Sequence, residues 1–233
     1  MQFTDRRFRR LASAICLIFG PALMLVGWLM FPSVDGDNAV WVADIAAEPD
    51  RAATGLSLVI VGIALSLVGY MALVHLVREQ HAMLGDIGGG LAVIGTAALG
   101  ALMGLELAMI ESIRHLGSSA ETVTLIEAIG DSGAAAPLWV APFASTIGLV
   151  LLGMALIWAR TAPVAYGALL ALGVVVQFFG FFVVQSMALV IVAFAAMFVA
   201  QAGIGLQLLR ETDEEWDHAP TYVGFGFHRS AMI

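Results

Sequence analysis

Residues 163–207 run for 45 positions without one charged side chain. That is about twice the roughly 20 residues that carry a helix across a bilayer, so the stretch has to turn back on itself once. Gln185-Ser186 is the one plausible turn. The whole chain repeats the theme. Of its 233 residues 61% are hydrophobic and 12% charged, with a mean hydropathy of +0.95, against the roughly 45–50% apolar usage of soluble domains. Too little polar surface exists to cover a core in water, so lipid is the solvent for most of the chain. In hydrocarbon the backbone must satisfy its own hydrogen bonds, which makes helices the expected element.

Six apolar segments follow, at residues 11–31, 54–77, 87–110, 139–159, 163–184 and 187–209. The expected fold is all-α: a bundle of six transmembrane helices, with short amphipathic surface helices in the two longer outer loops. Arg6, Arg7, Arg9 and Arg10 precede the first segment, whose 21 apolar residues exceed the roughly 7–15 of a signal peptide. Phe31-Pro32-Ser33 does not fit a cleavage site, so a retained helix is expected. All ten basic residues other than histidine are arginines. With six crossings, Arg6, Arg7, Arg9, Arg10, Arg78, Arg160, Arg210 and Arg229 share one side and only Arg51 and Arg114 the other. The positive-inside rule then puts both termini (residues 1–10 and 210–233) in the cytoplasm and the protein in the cell's inner (plasma) membrane.

The connections carry their own signals. In residues 32–53, positions 38–47 can form a surface helix with Trp41 and Ile45 on one side. Residues 78–86 form a tight polar link. In residues 111–137, Ser118 with Glu121 matches a capping box, Val123, Ile126 and Ile129 share a helical face, and Gly130 is placed to end it. Pro21 and Pro142 fall near expected helix starts, where proline is tolerated. The tail combines an acidic run, Glu211 to Asp217, with Tyr222, Phe225 and Phe227, and its ordering is expected to depend on a binding partner. Residues 24–30 and 150–156 match too weakly to mark an inverted repeat.

The third segment is the expected centre of packing, because Ala92, Thr96, Gly100, Gly104 and Ala108 recur every four residues and would let other backbones approach. It also holds Glu106, the one carboxylate inside an apolar run. Such a group is costly unless it meets protein or water. It lies about 28 Å along the helix from Ile87, near the outer boundary, and roughly 120° round from Gly100, on the side of Leu99, Met103 and Ile110. Glu111, Arg114 and His115 can meet one turn further on. Glu106, Glu111 and His115 would supply a metal with too few ligands, and no HExxH or paired Cys/His motif occurs. His75 has no second histidine across the bundle to hold a haem. Gln177, Gln185, Gln201 and Gln207 read as hydrogen-bond partners between helices, with Gln177 and Gln201 the candidates to line a path. The eleven methionines form no copper-like cluster, and Cys16 lacks the preceding residues of a lipoprotein site. Gly88-Gly89-Gly90 follows no strand, so no phosphate loop is expected. No cofactor and no metal are expected, and the net charge of −8 argues against nucleic acid. The expected partners are the lipid bilayer and another membrane protein or a second copy of the chain. The leading expectation is a non-catalytic accessory or scaffold subunit of a membrane complex; the alternative is a small carrier or channel-like path for a proton, cation or small solute using Glu106, and an outer-face metalloenzyme comes last.

Overall fold

A computed structural model describes residues 5–32, 37–133 and 136–218, and among these the fold is all helical, with no strand. The order is α1 (Asp5–Met30), α2 (Asn38–Ala47), α3 (Pro49–Leu116), α4 (Ala120–Gly130), α5 (Ala136–Ala159), α6 (Val164–Phe182), α7 (Met187–Arg210) and α8 (Asp213–Asp217). Five of these, α1, α3, α5, α6 and α7, are long and apolar enough to cross a membrane.

The 68-residue α3 is a hairpin rather than a rod. His81 alone leaves helical geometry, at φ −138° and ψ 49°. Gly85 then faces Val77, Gly89 faces Val74, Gly100 faces Ile63, and Arg114 pairs with Asp50 at 2.7 Å. Each pair is symmetric about positions 81 and 82, so the two arms run antiparallel. The polar link expected at 78–86 is therefore helical on both sides of a single broken residue.

The long helices close into a ring: α1 packs on α3, α3 on α5, α5 on α6, α6 on α7, and α7 back on α1. Glycines set the approach at each contact. A Cβ on Gly62 would meet the carbonyl of Gly20 at 2.7 Å, one on Gly153 the carbonyl of Gly167 at 2.7 Å, and one on Gly205 the carbonyl of Ala14 at 2.8 Å. On α5, a Cβ at Gly148 would overlap the backbone of Gly88 and Ala92. Apolar attraction supplies no net drive in lipid, so this backbone proximity and the dispersion contacts around it hold the ring.

The expected small-residue row divides along α3. Ala92 and Thr96 are buried, Gly100 is half-buried against Ile63, and Gly104 and Ala108 are exposed. A four-residue step overshoots one turn by about 40°, so five such positions wind roughly 160° round the helix and cannot share one straight face.

One end of the ring is latched by α8. Arg10 donates to the carbonyl of Leu208 at 2.7 Å and pairs with Asp213 at 3.2 Å, while Arg6 pairs with Asp217 at 2.8 Å. Trp216 is buried and stacks on His75 with ring centres 4.1 Å apart, and its carbonyl lies 2.8 Å from His75 Nε2. Arg78 donates to the carbonyl of Asp217, and His218 meets Glu79 at 3.2 Å. The start of α1, the bend of α3 and the end of α7 thus share one end, which holds Arg6, Arg10, Arg78 and Arg210, while Arg51 and Arg114 lie at the other with α2 and α4.

Three expectations need correction. The tail's first turn is ordered by its own chain: a capping box between Thr212 and Glu215 starts α8, and complementary charge docks it. Tyr222, Phe225 and Phe227 lie outside the described residues. The cap of α4 is Ser119, not Ser118, because Ser119 has the extended backbone that lets its hydroxyl accept from Thr122 N–H. Pro21 sits well inside α1 because helix extends back through the arginines to Asp5.

Two predictions follow from packing. Gly148→Val should lower the melting temperature in detergent strongly, by an amount corresponding to roughly 1–3 kcal/mol or more, because both obstructing groups are backbone. Gly104→Val, with nothing within 4 Å, should leave it nearly unchanged. At the latch, burial and the neighbouring Glu215 push Glu211 up to about 7 from the ordinary 4.5, against the lowering by Arg10, and its Oε2 has no hydrogen-bond partner. A raised folded value means stability is full below about 4.5 and is lost as pH rises toward about 7. Glu211→Gln should remove that loss, melting higher than wild type at pH 8 by an amount of order 1–2 kcal/mol, with little difference at pH 4.

Candidate functional site

At the end of the ring away from the latch the helices enclose a cavity of about 620 Å³, inside the range of roughly 300–1,000 Å³ typical of small-molecule sites. All five long helices contribute. Leu99, Leu102, Met103 and Glu106 come from the second arm of α3, Ser145 and Thr146 from α5, and Gln177 and Phe178 from α6. Trp28 of α1 and Phe194 of α7 face one another across the floor, with ring centres 6.0 Å apart, and Phe181 meets the Trp28 edge at 4.8 Å.

The two short helices form the rim. Asp37 caps α2 by accepting from Val40 N–H at 3.0 Å, which sets Asn38 and Trp41 at the mouth. The α4 helix contributes Ile126 and Glu127, and its final carbonyl, at Gly130, accepts from Trp139 Nε1 at 3.2 Å. That bond fastens the rim to the start of α5. Asn38, Glu127, Asp131 and Gln185 are exposed as well as lining the cavity, so the mouth reaches the polar end of the molecule.

Glu106 is half-buried in this wall, on the side of the helix shared with Leu99 and Met103. Its carboxylate makes no hydrogen bond or ion pair with any described residue. Among the described residues the charged side chains lining the cavity are Asp37, Glu106, Glu127 and Asp131, with no arginine or histidine. Trp28 is 4% exposed, and its Nε1–H has no acceptor among the described residues.

Beneath the floor lies a second void of about 10 Å³, shared by Tyr70, Thr96, Ser145, Gln177 and Gln201, room for about one water. Thr96 and Ser145 hydroxyls are 3.0 Å apart, and the Ser66 hydroxyl donates to Met24 Sδ at 3.6 Å. Gln201 is buried at 2% exposure with its Oε1 unpartnered. Ser145 and Gln177 border both spaces, so a polar seam continues inward from the cavity.

Of the five residues singled out as a polar site, Glu106 and Gln177 share the cavity, and Gln201 lies in the void below it. Glu111 and His115 stand outside: Glu111 meets Arg114 at 3.6 Å, Arg114 turns to Asp50, and His115 is exposed. Among the described residues no three His, Cys, Asp or Glu side chains gather as a metal site needs. His75 belongs to the latch. Sequence reasoning missed Trp28 and Tyr70. A signal for Tyr70 existed, since Ser66 and Tyr70 are one turn apart in an apolar run; nothing in the sequence marks Trp28 out from an interfacial tryptophan.

No protein-family model, curated protein or solved structure matches this chain, so its function has to be read from this site.

Proposed function

We propose that the chain is a six-crossing membrane protein with both termini cytoplasmic, the two arms of α3 counting as separate crossings, and that it works as a small carrier or channel-like path for a proton, cation or small solute. The single observation that carries this reading is the placement of Glu106: a carboxylate with no partner among the described residues, sharing with Gln177 the lining of a cavity of about 620 Å³ that α2 and α4 rim. A carboxylate on an apolar helix without a partner is costly, and a site that exchanges a proton or cation is the use that offsets the cost. The seam through Ser145, Thr96 and Gln201 gives the cavity an inward continuation. Among the described residues the cavity's lining offers hydroxyls with no histidine or cysteine to activate them, which supports a binding rather than a catalytic role.

One observation favours the accessory-subunit reading instead. Gly104 and Ala108 are exposed on the outside of α3, with open space over Gly104, and would let a partner helix or second copy approach closely. The tail beyond His218 belongs to that reading too, as a partner contact.

Flux separates the two. In liposomes loaded with a pH-sensitive dye and given a pH gradient and a membrane potential, wild-type protein should dissipate the gradient well above empty liposomes. Glu106→Gln should return the rate to background while melting at the wild-type temperature. Equal rates for wild type and variant would leave the accessory role as the better account.

A further inference from the structure

We infer that the cargo of this cavity is a lipophilic organic cation, an ammonium or phosphonium centre carried on an apolar or aromatic body. The inference rests on the proposed binding role of the cavity and specifies its ligand.

Charge comes first. Among the described residues every ionisable side chain on the lining is a carboxylate, with Glu106 farther in than Glu127 and Asp131 at the mouth, so an entering cation is attracted and an anion repelled. The second observation is independent of these acids. Trp28, Trp41, Trp139, Phe178, Phe182 and Phe194 bring ring faces and edges to the same space, and aromatic rings attract cations through their quadrupole, most strongly for diffuse charge that sheds its water easily. The third is Trp28 itself, buried on the cavity wall with an N–H that finds no acceptor among the described residues. A hydrogen-bond acceptor on the ligand's apolar body, such as an ether or carbonyl oxygen, would satisfy it; the phosphine oxide probe below has such an atom and the phosphonium does not, so the charge preference is tested against that advantage.

An inorganic cation fits less well. Divalent ions need several oxygen ligands converging at short distance, whereas no three carboxylates or imidazoles gather among the described residues. A neutral apolar solute would use the aromatic walls but leave Glu106 unpaired. Spread negative charge, wide aromatic walls and a volume of about 620 Å³ suit one bulky charged organic molecule.

The test is equilibrium binding to full-length protein in phosphatidylcholine nanodiscs, with empty nanodiscs subtracted for partitioning. Three probes of similar bulk are compared: tetraphenylphosphonium, the neutral triphenylphosphine oxide, and the anion tetraphenylborate. The phosphonium should bind saturably and about tenfold or more tighter than the neutral probe, with no saturable binding of the borate. Glu106→Gln should weaken the phosphonium by about tenfold and leave the neutral probe unchanged. Should that variant fail to fold, Glu127→Gln at the exposed mouth serves, with a smaller loss that shrinks in high salt. Equal binding of cation and neutral probe, or saturable binding of the borate, overturns the cation assignment while the binding cavity stands. No probe binding above empty discs overturns the cavity's binding role along with it. Phosphonium binding without flux in liposomes supports the ligand assignment and removes only the carrier step.

Discussion

Contact between helix backbones at glycine is the interaction on which the rest of this structure depends. In water, burying leucines and phenylalanines would hold six long helical segments together; in hydrocarbon, the lipid tails are as good a partner as another helix. What lipid cannot match is the close approach allowed where Gly20 faces Gly62, Gly88 faces Gly148 and Gly153 faces Gly167. With Gly173 against Ala193 of α7 and Gly205 against Ala14 of α1, these contacts fix which helices are neighbours and close the ring.

The same constraint explains where the ring stays open. Between α3 and α5 the tight contact is made by Gly88, Ala92 and Gly148. Toward the α4 end, α5 has no glycine before Gly148, and it presents Trp139, Pro142, Ser145 and Thr146 opposite Leu99, Met103 and Glu106. Helices pinned at one point and spaced by large side chains beyond it diverge, leaving the cavity. The opposite end is drawn shut by charge: Arg6 and Arg10 grip Asp217 and Asp213, and Trp216 fills the space against His75. A ring closed at its arginine-rich end and splayed at the other has the shape a one-sided binding site requires.

Much of this was legible in sequence because it follows from solvent and local geometry. Uncharged runs locate the long helices, and the hydroxyl at Ser119 and the glycine at Gly130 bracket α4 within a residue of expectation. Glu106 was found because a carboxylate in an apolar run is conspicuous, and angular counting put it on the side of Leu99 and Met103, which is the cavity side. The small-residue row was harder to read, since its turn round the helix matters only once the partners are known. Tertiary proximity was not legible at all: nothing local says that His75 will stack on Trp216, 141 residues away, or that Gln177 will stand in the same cavity as Glu106.

The central claim is that a cavity lined by Glu106 opens to the outside while the α8 latch faces the cytoplasm. Single cysteines at Met103, Gly104 and Glu214, in a Cys16→Ser background, can be offered a membrane-impermeant thiol reagent on intact cells. The account expects Met103→Cys to react, its neighbour Gly104→Cys to stay silent in lipid, and Glu214→Cys to react only after the membrane is permeabilised. Labelling of Glu214→Cys in intact cells, or silence at Met103→Cys with reaction at Gly104→Cys, would contradict it.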